Sequence, residues 1–427
     1  MMEHENNDPS PPVRNRRGTK STLYVVYFVA FMDLFAVSML TPLMRKQNLD
    51  LGSSYTTAGI IGSVYGATQL FSSPLVGDWS DRLGRTYVMS LTTFLTAIGY
   101  FILAASQWLP LVFLARAICG CFKHTQTLTK AYLADLDHHT EHEDNGRGGD
   151  LGNAPQRDRP TLGESFGPFM AISTSGFVIG PIVGGHVAEL DSGFQIVCLT
   201  VVVIFLFNAV IIRHLPTINR PIHTTESGSP SPRAAITFRE TVVDNYDIFL
   251  LQLLVSLSIL IVRTNYVQHV HDNFGISIKW AGYLTSYQAL LGVLGSSCVS
   301  SRIMNYSFCK HTPTLVLYTT ILLSASVVGI AYTSNLTIYI LSLTVLNFMT
   351  PFSRIANLRQ LLERSESPAH HGALMGTGQS VGSLCRLSSS FLSGLAQDYA
   401  QHGPEMISVA CTAAALGQIL FMNRSSR

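Results

Sequence analysis

The chain has 427 residues, of which 47% are apolar and only 13% are charged, and its net charge is +2. Soluble proteins carry about 25% charged residues, so this composition excludes a chain whose whole surface faces water. The small net charge excludes a bulk basic surface for nucleic acid. The seven cysteines show no C-x-x-C pair and no zinc spacing.

Long apolar segments follow one another along the chain. A membrane-spanning helix needs about 20 mostly apolar residues, and twelve segments meet this requirement. They are residues 22–44, 58–76, 87–105, 109–134, 165–187, 194–212, 248–267, 280–299, 313–332, 337–355, 372–396 and 406–422. Most of them contain no Asp, Glu, Lys or Arg, whereas a soluble helix of this length needs a polar face. The sequence therefore predicts an all-α membrane protein with twelve transmembrane helices.

Polar stretches divide these segments into two groups of six. The break between the sixth and seventh segments is rich in Pro, Ser, Thr and Arg. The predicted domains are a cytosolic tail at 1–21, an N-terminal six-helix bundle at 22–212, a cytosolic linker at 213–246, a C-terminal six-helix bundle at 247–423 and a cytosolic tail at 424–427. A polar insert at 138–163 has no apolar period, which predicts disorder within the first bundle.

The basic residues predict how the chain crosses the membrane. Of the 28 lysines and arginines, only Arg45, Lys46 and Lys279 fall in segments on the side opposite to the N-terminus. Cytosolic segments of membrane proteins carry an excess of lysine and arginine. Both termini are therefore predicted to lie in the cytosol, which requires an even number of helices.

The segment after the second predicted helix reads G-D-W-S-D-R-L-G-R, from Gly77 to Arg85. Gly77 and Gly84 permit a tight turn. Asp81, followed by Arg82, is expected near the start of the third helix, where a helix N-terminus favours an anion. A solvated turn with a capping acid is the alternative interpretation.

The fourth predicted helix carries three cations on one face. Arg116, Gly120, Lys123 and Lys130 are spaced at intervals that place them on the same side of a helix. A charge inside the membrane is costly and tends to face a water-filled cavity or a partner. The alternative is that the side chains extend to the membrane surface, which suits Lys130 better than the other two.

The fifth predicted helix combines regularly spaced glycines with a proline. Gly176, Gly180 and Gly184 recur every four residues, and Gly185 follows. Such a face lets helices pack closely, while Pro181 removes one backbone hydrogen bond and kinks the helix. The pattern predicts either a gating helix or close packing alone.

Asp33 is the only acid well inside any predicted helix. It is either a proton-binding site or a structural partner for an arginine in a helix. The intramembrane cations Arg263, Arg354 and Arg386, together with those of the fourth helix, outnumber it. The excess of positive charge predicts an anionic solute that carries a carboxylate or phosphate.

Polar uncharged residues also occur within the apolar segments. Gln288, Asn347 and Gln379 are candidates for the lining of a solute path. They are equally consistent with hydrogen bonds between helices.

Three of these patterns, in this order and on these helices, resemble motifs of the major facilitator superfamily. Residues 77–85 resemble the family motif G-x-x-x-D-R-x-G-R, Arg116 with Gly120 resembles its helix-4 motif, and residues 176–185 resemble a helix-5 motif associated with antiporters. The resemblance implies two six-helix bundles around a central cavity, with alternating access by rocking of the halves. It also implies that Asp81 faces the eleventh helix and that Arg85 pairs with Asp135, contacts that would stabilise an outward-facing state.

Within that superfamily, residues 33–42 and 131–135 are similar to the tetracycline/proton antiporter-like branch. The similarity of the C-terminal half rests on helix count and residues 376–380. Members of this branch carry further acids in the third and ninth helices, and this chain has none there. The resemblance therefore does not carry proton coupling or a tetracycline substrate over to this chain.

The sequence favours a secondary active transporter of a small organic solute, with the lipid bilayer as its other partner. The alternative is a transport-inactive receptor or scaffold with the same fold. Neither a Ser/His/Asp set nor a phosphate-binding loop is evident, so no enzyme, cofactor, metal site or nucleic-acid partner is predicted. The pattern is compatible with a monomer.

Overall fold

The computed structural model describes residues 16–146, 162–217, 243, 245–300, 312–364 and 371–425, and the described residues contain helices but no strand. The helices are α1 (Arg16–Leu40), α2 (Met44–Asp50), α3 (Tyr55–Leu83), α4 (Arg85–Ala104), α5 (Leu109–Phe122), α6 (Thr125–Gly146), α7 (Leu162–Val187), α8 (Gly193–Arg213), α9 (Tyr246–Phe274), α10 (Ile278–Ser300), α11 (Thr312–Tyr332), α12 (Leu336–Arg364), α13 (His371–Tyr399) and α14 (Gly403–Ser425).

Local signals begin and end several of these helices. Ser54 caps α3, because its hydroxyl accepts a hydrogen bond from the backbone N–H of Thr57 at 3.1 Å. Gly275 ends α9 with a φ of 62°, a left-handed conformation that glycine adopts without strain. Gly84 alone separates α3 from α4, and its φ of 96° makes that turn possible.

These helices form the twelve membrane-spanning segments of the predicted all-α fold, arranged as two six-helix bundles. α2 is a short helix between the first two spans, and α5 and α6 together make the fourth. Eight stretches in the described part of the chain are long and apolar enough to cross a membrane by length and composition. Large apolar side chains such as Phe71, Val203 and Leu341 are exposed on the outside of the bundles, as a lipid-facing surface requires.

The apolar interior lies within each bundle. Tyr100, Val197 and Phe205 belong to the buried core of α1–α8, the N-terminal bundle. Leu323 and Leu343 belong to the buried core of α9–α14, the C-terminal bundle. The helices that meet the other bundle are instead rich in glycine and serine.

One pair of helices joins the bundles where α3 begins and α13 ends. Gly59 lies directly against the backbone of Ser390 and Gly394, with no room for a Cβ atom. The carboxylate of Asp398 accepts hydrogen bonds from the backbone N–H groups of Tyr55 at 3.0 Å and Thr56 at 2.8 Å. Asp398 therefore caps a helix of the opposite bundle.

A second pair joins the bundles where α7 ends and α10 begins. Gly282 packs against the backbone of Pro181 and Gly185, and Gly185 lies against Lys279. Lys279 also forms an ion pair with Glu189 at 3.4 Å. Both pairs of helices thus make contact at the same end of the molecule, which we call the closed end.

The opposite end, the open end, is where α1 and α7 begin. These two helices are parallel, because Gly176 packs against Phe31 and Gly184 packs against Met39. A cavity of about 780 Å³ lies between the bundles and is lined by the start of α7, from Gly167, and by helices of the C-terminal bundle.

Several predicted boundaries differ from the observed ones. α1 begins at Arg16 and α6 continues to Gly146, so parts of the predicted tail 1–21 and of the predicted disordered insert 138–163 are helical. The reason is that charged residues such as Glu and Lys continue a helix readily beyond its apolar part. The rest of the insert, at 147–161, and most of the linker, at 218–242, lie outside the described residues.

Candidate functional site

Asp33 of α1 is fully buried and pairs with Lys123. The Nζ atom of Lys123 lies 2.7 Å from both carboxylate oxygens of Asp33. The side-chain amide of Gln126 donates a further hydrogen bond to Asp33 Oδ2 at 3.1 Å. The partner of Asp33 is therefore a lysine rather than an arginine, and the choice between a structural pair and a proton-binding site stays a prediction.

A break in the fourth span turns Lys123 toward Asp33. α5 ends at Phe122 and α6 begins at Thr125, so the expected continuous face of Arg116, Lys123 and Lys130 does not exist. The Nε2 atom of Gln69 donates to the freed carbonyl of Lys123 at 3.0 Å. Non-helical backbone at membrane depth is tolerated where neighbouring side chains satisfy it in this way.

Arg116, in contrast, has no carboxylate partner in the described part of the chain. Its guanidinium lies over the ring of Tyr65, with the Cζ atom 4.5 Å from the ring centroid. Its Nε atom is buried without a hydrogen-bond partner. Gly120, one turn further on α5, lies against Tyr65 and Thr68 of α3 and permits this close approach.

Three arginines of the C-terminal bundle line two neighbouring cavities. Arg263 of α9 and Arg354 of α12 border both the cavity of about 780 Å³ and a neighbouring cavity of about 490 Å³. Arg386 and Gln379 of α13 line the smaller cavity. None of the three arginines is ion-paired within the described residues.

Uncharged groups orient two of these arginines. Arg263 donates to the side-chain oxygen of Asn347 at 2.9 Å, and Asn347 donates to Gln288 at 3.3 Å. Arg386 donates to the hydroxyl of Ser383 at 2.7 Å. Because amide and hydroxyl groups carry no charge, the positive charge of both guanidinium groups remains available to a ligand.

The motif at 77–85 has a different local structure from the predicted one. α3 continues to Leu83, so Gly77, Asp81 and Arg82 are helical and only Gly84 forms the turn. Asp81 consequently lies in the last turn of α3 rather than at the start of the next helix. A helix C-terminus disfavours an anion, and Arg85 offsets this effect through an ion pair with Asp81 at 3.0 Å.

Arg85 also contacts the end of the fourth span. Its Nε atom lies 2.5 Å from Asp135 Oδ2, and Asp135 is nearly fully buried. Asp78 and Arg82 form a separate, exposed ion pair at 2.9 Å. The expectation that Asp81 faces the eleventh span stays a prediction.

The glycine pattern of α7 contacts two different helices. Gly176, Gly180 and Gly184 face α1, and a Cβ atom at any of them would collide with backbone or side-chain atoms of that helix. Pro181 and Gly185 face α10 of the other bundle. The motif therefore contributes both to packing within a bundle and to the contact between bundles.

A cluster of two buried residues and one exposed residue at the closed end has no counterpart in the sequence predictions. His269 Nδ1 lies 2.9 Å from Glu405 Oε1, and His402 lies close to both. The pattern could not be found from spacing, because more than a hundred residues separate His269 from the other two. The prediction of no metal site did not consider this combination.

Comparisons with known proteins agree with the fold. Residues 23–390 match the family model described as Major Facilitator Superfamily. The quinolone resistance protein NorA of Staphylococcus aureus is 22% identical over 349 residues, which cover 79% of this chain and 83% of NorA. Mouse major facilitator superfamily domain-containing protein 10 is 32% identical over 158 residues, which cover 30% of this chain and 35% of the mouse protein.

Solved structures resemble the chain over nearly its whole length. The nucleoside transporter NupG has a TM-score of 0.72 at 14% identity and covers 93% of this chain and 97% of its own. The human organic anion transporter MFSD10 has a TM-score of 0.61 at 18% identity and covers 96% of this chain and 100% of its own. At these identities the likeness shows the fold alone.

Proposed function

Because the chain belongs to the Major Facilitator Superfamily, we propose that it is a secondary transporter that moves a small organic anion by alternating access. The family and the solved members named above are transporters and not enzymes. NupG is described as a nucleoside transporter and human MFSD10 as an organic anion transporter. The anionic character of this chain's solute is argued from its own residues.

The observation that carries the proposal is the charge around the cavities. Arg263, Arg354 and Arg386 face this space without a carboxylate partner in the described residues. The acid of the first span cannot balance them, because Lys123 already neutralises Asp33. A guanidinium group recognises carboxylate or phosphate through two parallel hydrogen bonds.

The arrangement of the bundles supports alternating access. Small residues join them at the closed end, and the larger cavity extends between them from Gly167 to Thr41 and Tyr266. The N-terminal helix α1 begins at the open end, and the distribution of lysine and arginine supports the assignment of that end to the cytosol. The molecule is then in an inward-facing state, with its arginines accessible from the cytosolic side.

We propose a positioning role for the Asp33–Lys123 pair, which holds the broken fourth span against α1. This role suits a carboxylate whose two oxygens both contact a lysine. A proton-coupling role would require Lys123 to leave Asp33 during transport. Loss of pH-dependent transport in folded Asp33→Asn protein would support proton coupling over a purely structural pair.

The direct test is transport by purified protein in liposomes across a panel of organic carboxylates, phosphate monoesters and cations. Uptake of the best anion by Arg354→Gln is expected to fall about tenfold or more, because a hydrogen bond to a charged group contributes about 1.5–3 kcal/mol. Arg359→Gln is the matched control, since Arg359 pairs with Glu363 on the same helix and lines neither of these cavities.

Two results would count against the proposal. Transport that prefers cations, or an Arg354→Gln variant that transports as well as Arg359→Gln, would contradict the anionic solute. Folded protein that moves no compound of the panel would favour the transport-inactive receptor or scaffold.

A further inference from the structure

A group of side chains with metal-binding chemistry lies at the closed end of the C-terminal bundle, away from the cavity arginines. His269 is in the last turns of α9, Glu405 is in the first turn of α14, and His402 directly precedes α14. One nitrogen or oxygen atom from each of the three lies within 4.8 Å of the others. His269 and Glu405 are buried, whereas His402 is exposed.

Neighbouring residues hold the two buried groups in place. His269 Nδ1 lies 2.9 Å from Glu405 Oε1, and the side-chain amide of Asn265 donates to the same oxygen at 3.0 Å. The ring of Tyr339 stacks on that of His269, with centroids 5.1 Å apart and planes inclined by 9°. Metal-binding histidines and carboxylates are commonly oriented by such contacts.

Two buried oxygen atoms at this place lack a hydrogen-bond partner among the described residues. They are Oε2 of Glu405 and Oδ1 of Asn265. Burial of an acceptor without a partner is unfavourable. A cavity of about 10 Å³, lined by Asn265, His269, Tyr339 and Glu405 among others, lies beside them. This space is about the size of one water molecule, so it also suits a single ion.

We propose that His269, His402 and Glu405 bind one divalent transition-metal ion, for which Zn²⁺ is the best match. Two imidazoles and one carboxylate form a common zinc ligand set, which leaves the fourth position to water or another oxygen. Zinc bonds of about 2.0–2.1 Å in tetrahedral geometry place ligand atoms roughly 3.3 Å apart. His269 and Glu405 are already near this separation, and the exposed side chain of His402 is free to move the remaining ångström or so.

The competing explanation is a structural hydrogen bond between His269 and Glu405 that involves no ion. His402 distinguishes the two explanations, because it takes no part in that hydrogen bond. Its removal should weaken metal binding and leave the hydrogen bond intact. Because His402 is exposed, its replacement should leave the protein folded. A weaker metal response of a His402 variant would then reflect the loss of a ligand.

The test uses the full-length protein, purified with a histidine-free affinity tag and freed of metal by a chelator. Zn²⁺ is expected to raise the midpoint of thermal unfolding, and Co²⁺ should give the visible absorption of a tetrahedral site. His402→Ala and Glu405→Gln should each weaken Zn²⁺ binding, so that the half-saturating Zn²⁺ concentration rises at least about tenfold. Mg²⁺ should have no such effect, because it prefers octahedral oxygen ligands.

His271→Ala is the matched control, since His271 is an exposed histidine at the same end of α9 and is not one of the proposed ligands. It should keep the response of the unmodified protein. Absence of any Zn²⁺ response in the unmodified protein would overturn the proposal. A response that persists unchanged in both His402→Ala and Glu405→Gln would also overturn it, because the ion would then bind elsewhere.

Discussion

The charged side chains at Asp33 and Arg85 in the N-terminal bundle differ from the cavity arginines of the C-terminal bundle in the partners that they contact. In the N-terminal bundle, Lys123 neutralises Asp33 at 2.7 Å and Asp135 neutralises Arg85. In the C-terminal bundle, Arg263, Arg354 and Arg386 contact only uncharged groups among the described residues, or none. Removing one partner of a buried ion pair is strongly destabilising, whereas arginines that are exposed to a cavity and lack an acidic partner are available to an anionic ligand. The comparison supports the proposal that the Asp33–Lys123 pair serves packing and that Arg263, Arg354 and Arg386 contact the solute.

The largest expected effect is on the stability of the N-terminal bundle. Asp33→Asn leaves Lys123 buried without an anion, which should lower the free energy of unfolding by about 3–5 kcal/mol. Thermal unfolding of the purified protein measures this loss. The double variant Asp33→Asn, Lys123→Met removes both charges and should recover much of the stability. If the single variant is as stable as the unmodified protein, the pair does not have a structural role.

A smaller loss is expected at the junction of α4 and α6. Asp135→Asn removes the anionic partner of Arg85, but Asp81 remains 3.0 Å from the same guanidinium group. The expected destabilisation is about 1–3 kcal/mol, again from thermal unfolding. Asp78→Asn is the control, because the Asp78–Arg82 pair is exposed and such pairs contribute about 0–1 kcal/mol. Equal losses of stability in the two variants would contradict the expectation that Asp135 contributes more than the exposed Asp78.

The opposite pattern is expected in the C-terminal bundle. Arg386→Gln replaces an exposed arginine that has no acidic partner in the described residues, so the free energy of unfolding should change by no more than about 0.5 kcal/mol. Anion uptake should fall by about fivefold to tenfold, less than for Arg354→Gln, because Arg386 lines only the smaller cavity. An Arg386→Gln variant that loses stability and keeps transport would contradict the proposed role of Arg386 in solute binding.

The smallest effect is expected where the bundles meet. Partial desolvation raises the pKa of Asp398, but hydrogen bonds from Thr56 and Tyr55 outweigh it and hold the pKa below its ordinary value of 3.8. The carboxylate therefore stabilises the closed end above this ordinary pKa, and the contribution is lost as the pH falls through the lower pKa. Asp398→Ala should open the closed end about twofold to fivefold more often at neutral pH.

The accessibility of a cysteine introduced at Ser393, in an otherwise cysteine-free protein, measures this opening, because Ser393 is fully buried and lies 3.5 Å from Arg45 of the opposite bundle. The difference in cysteine accessibility between Asp398→Ala and the parent protein should become smaller as the pH falls toward the pKa of Asp398. An effect that does not depend on pH would show that the carboxylate charge is not responsible.

The sequence was sufficient for much of the fold and for part of the candidate site. Apolar length predicts the twelve spans, because a bilayer admits few other backbone structures. The spacing of Gly176, Gly180 and Gly184 predicts a closely packed face, which the structure shows to lie against α1. The predicted helix ends were less accurate than the predicted spans. α3 continues to Leu83 and α6 to Gly146, because polar residues that suit a loop also continue a helix.

Other features could not be read from the chain. The break at Lys123 follows no proline, and a local pattern gives no reason to end a helix there. It is stabilised by Asp33, Gln69 and Gln126, which lie in other elements or beyond the break. The cluster of His269, His402 and Glu405 likewise forms only because α9 and α14 are neighbours in the C-terminal bundle.

The sequence by itself determined which residues enter the membrane, where the chain divides into two bundles and that positive charge exceeds negative charge inside it. Those properties depend on composition and on spacing along single helices. Only the tertiary structure decided which charges are neutralised, because an ion pair needs two groups within about 4 Å and no local pattern fixes that distance. Lys123 thus balances the charge of Asp33 in an ion pair, while Arg263, Arg354 and Arg386 line the cavities without an acidic partner among the described residues.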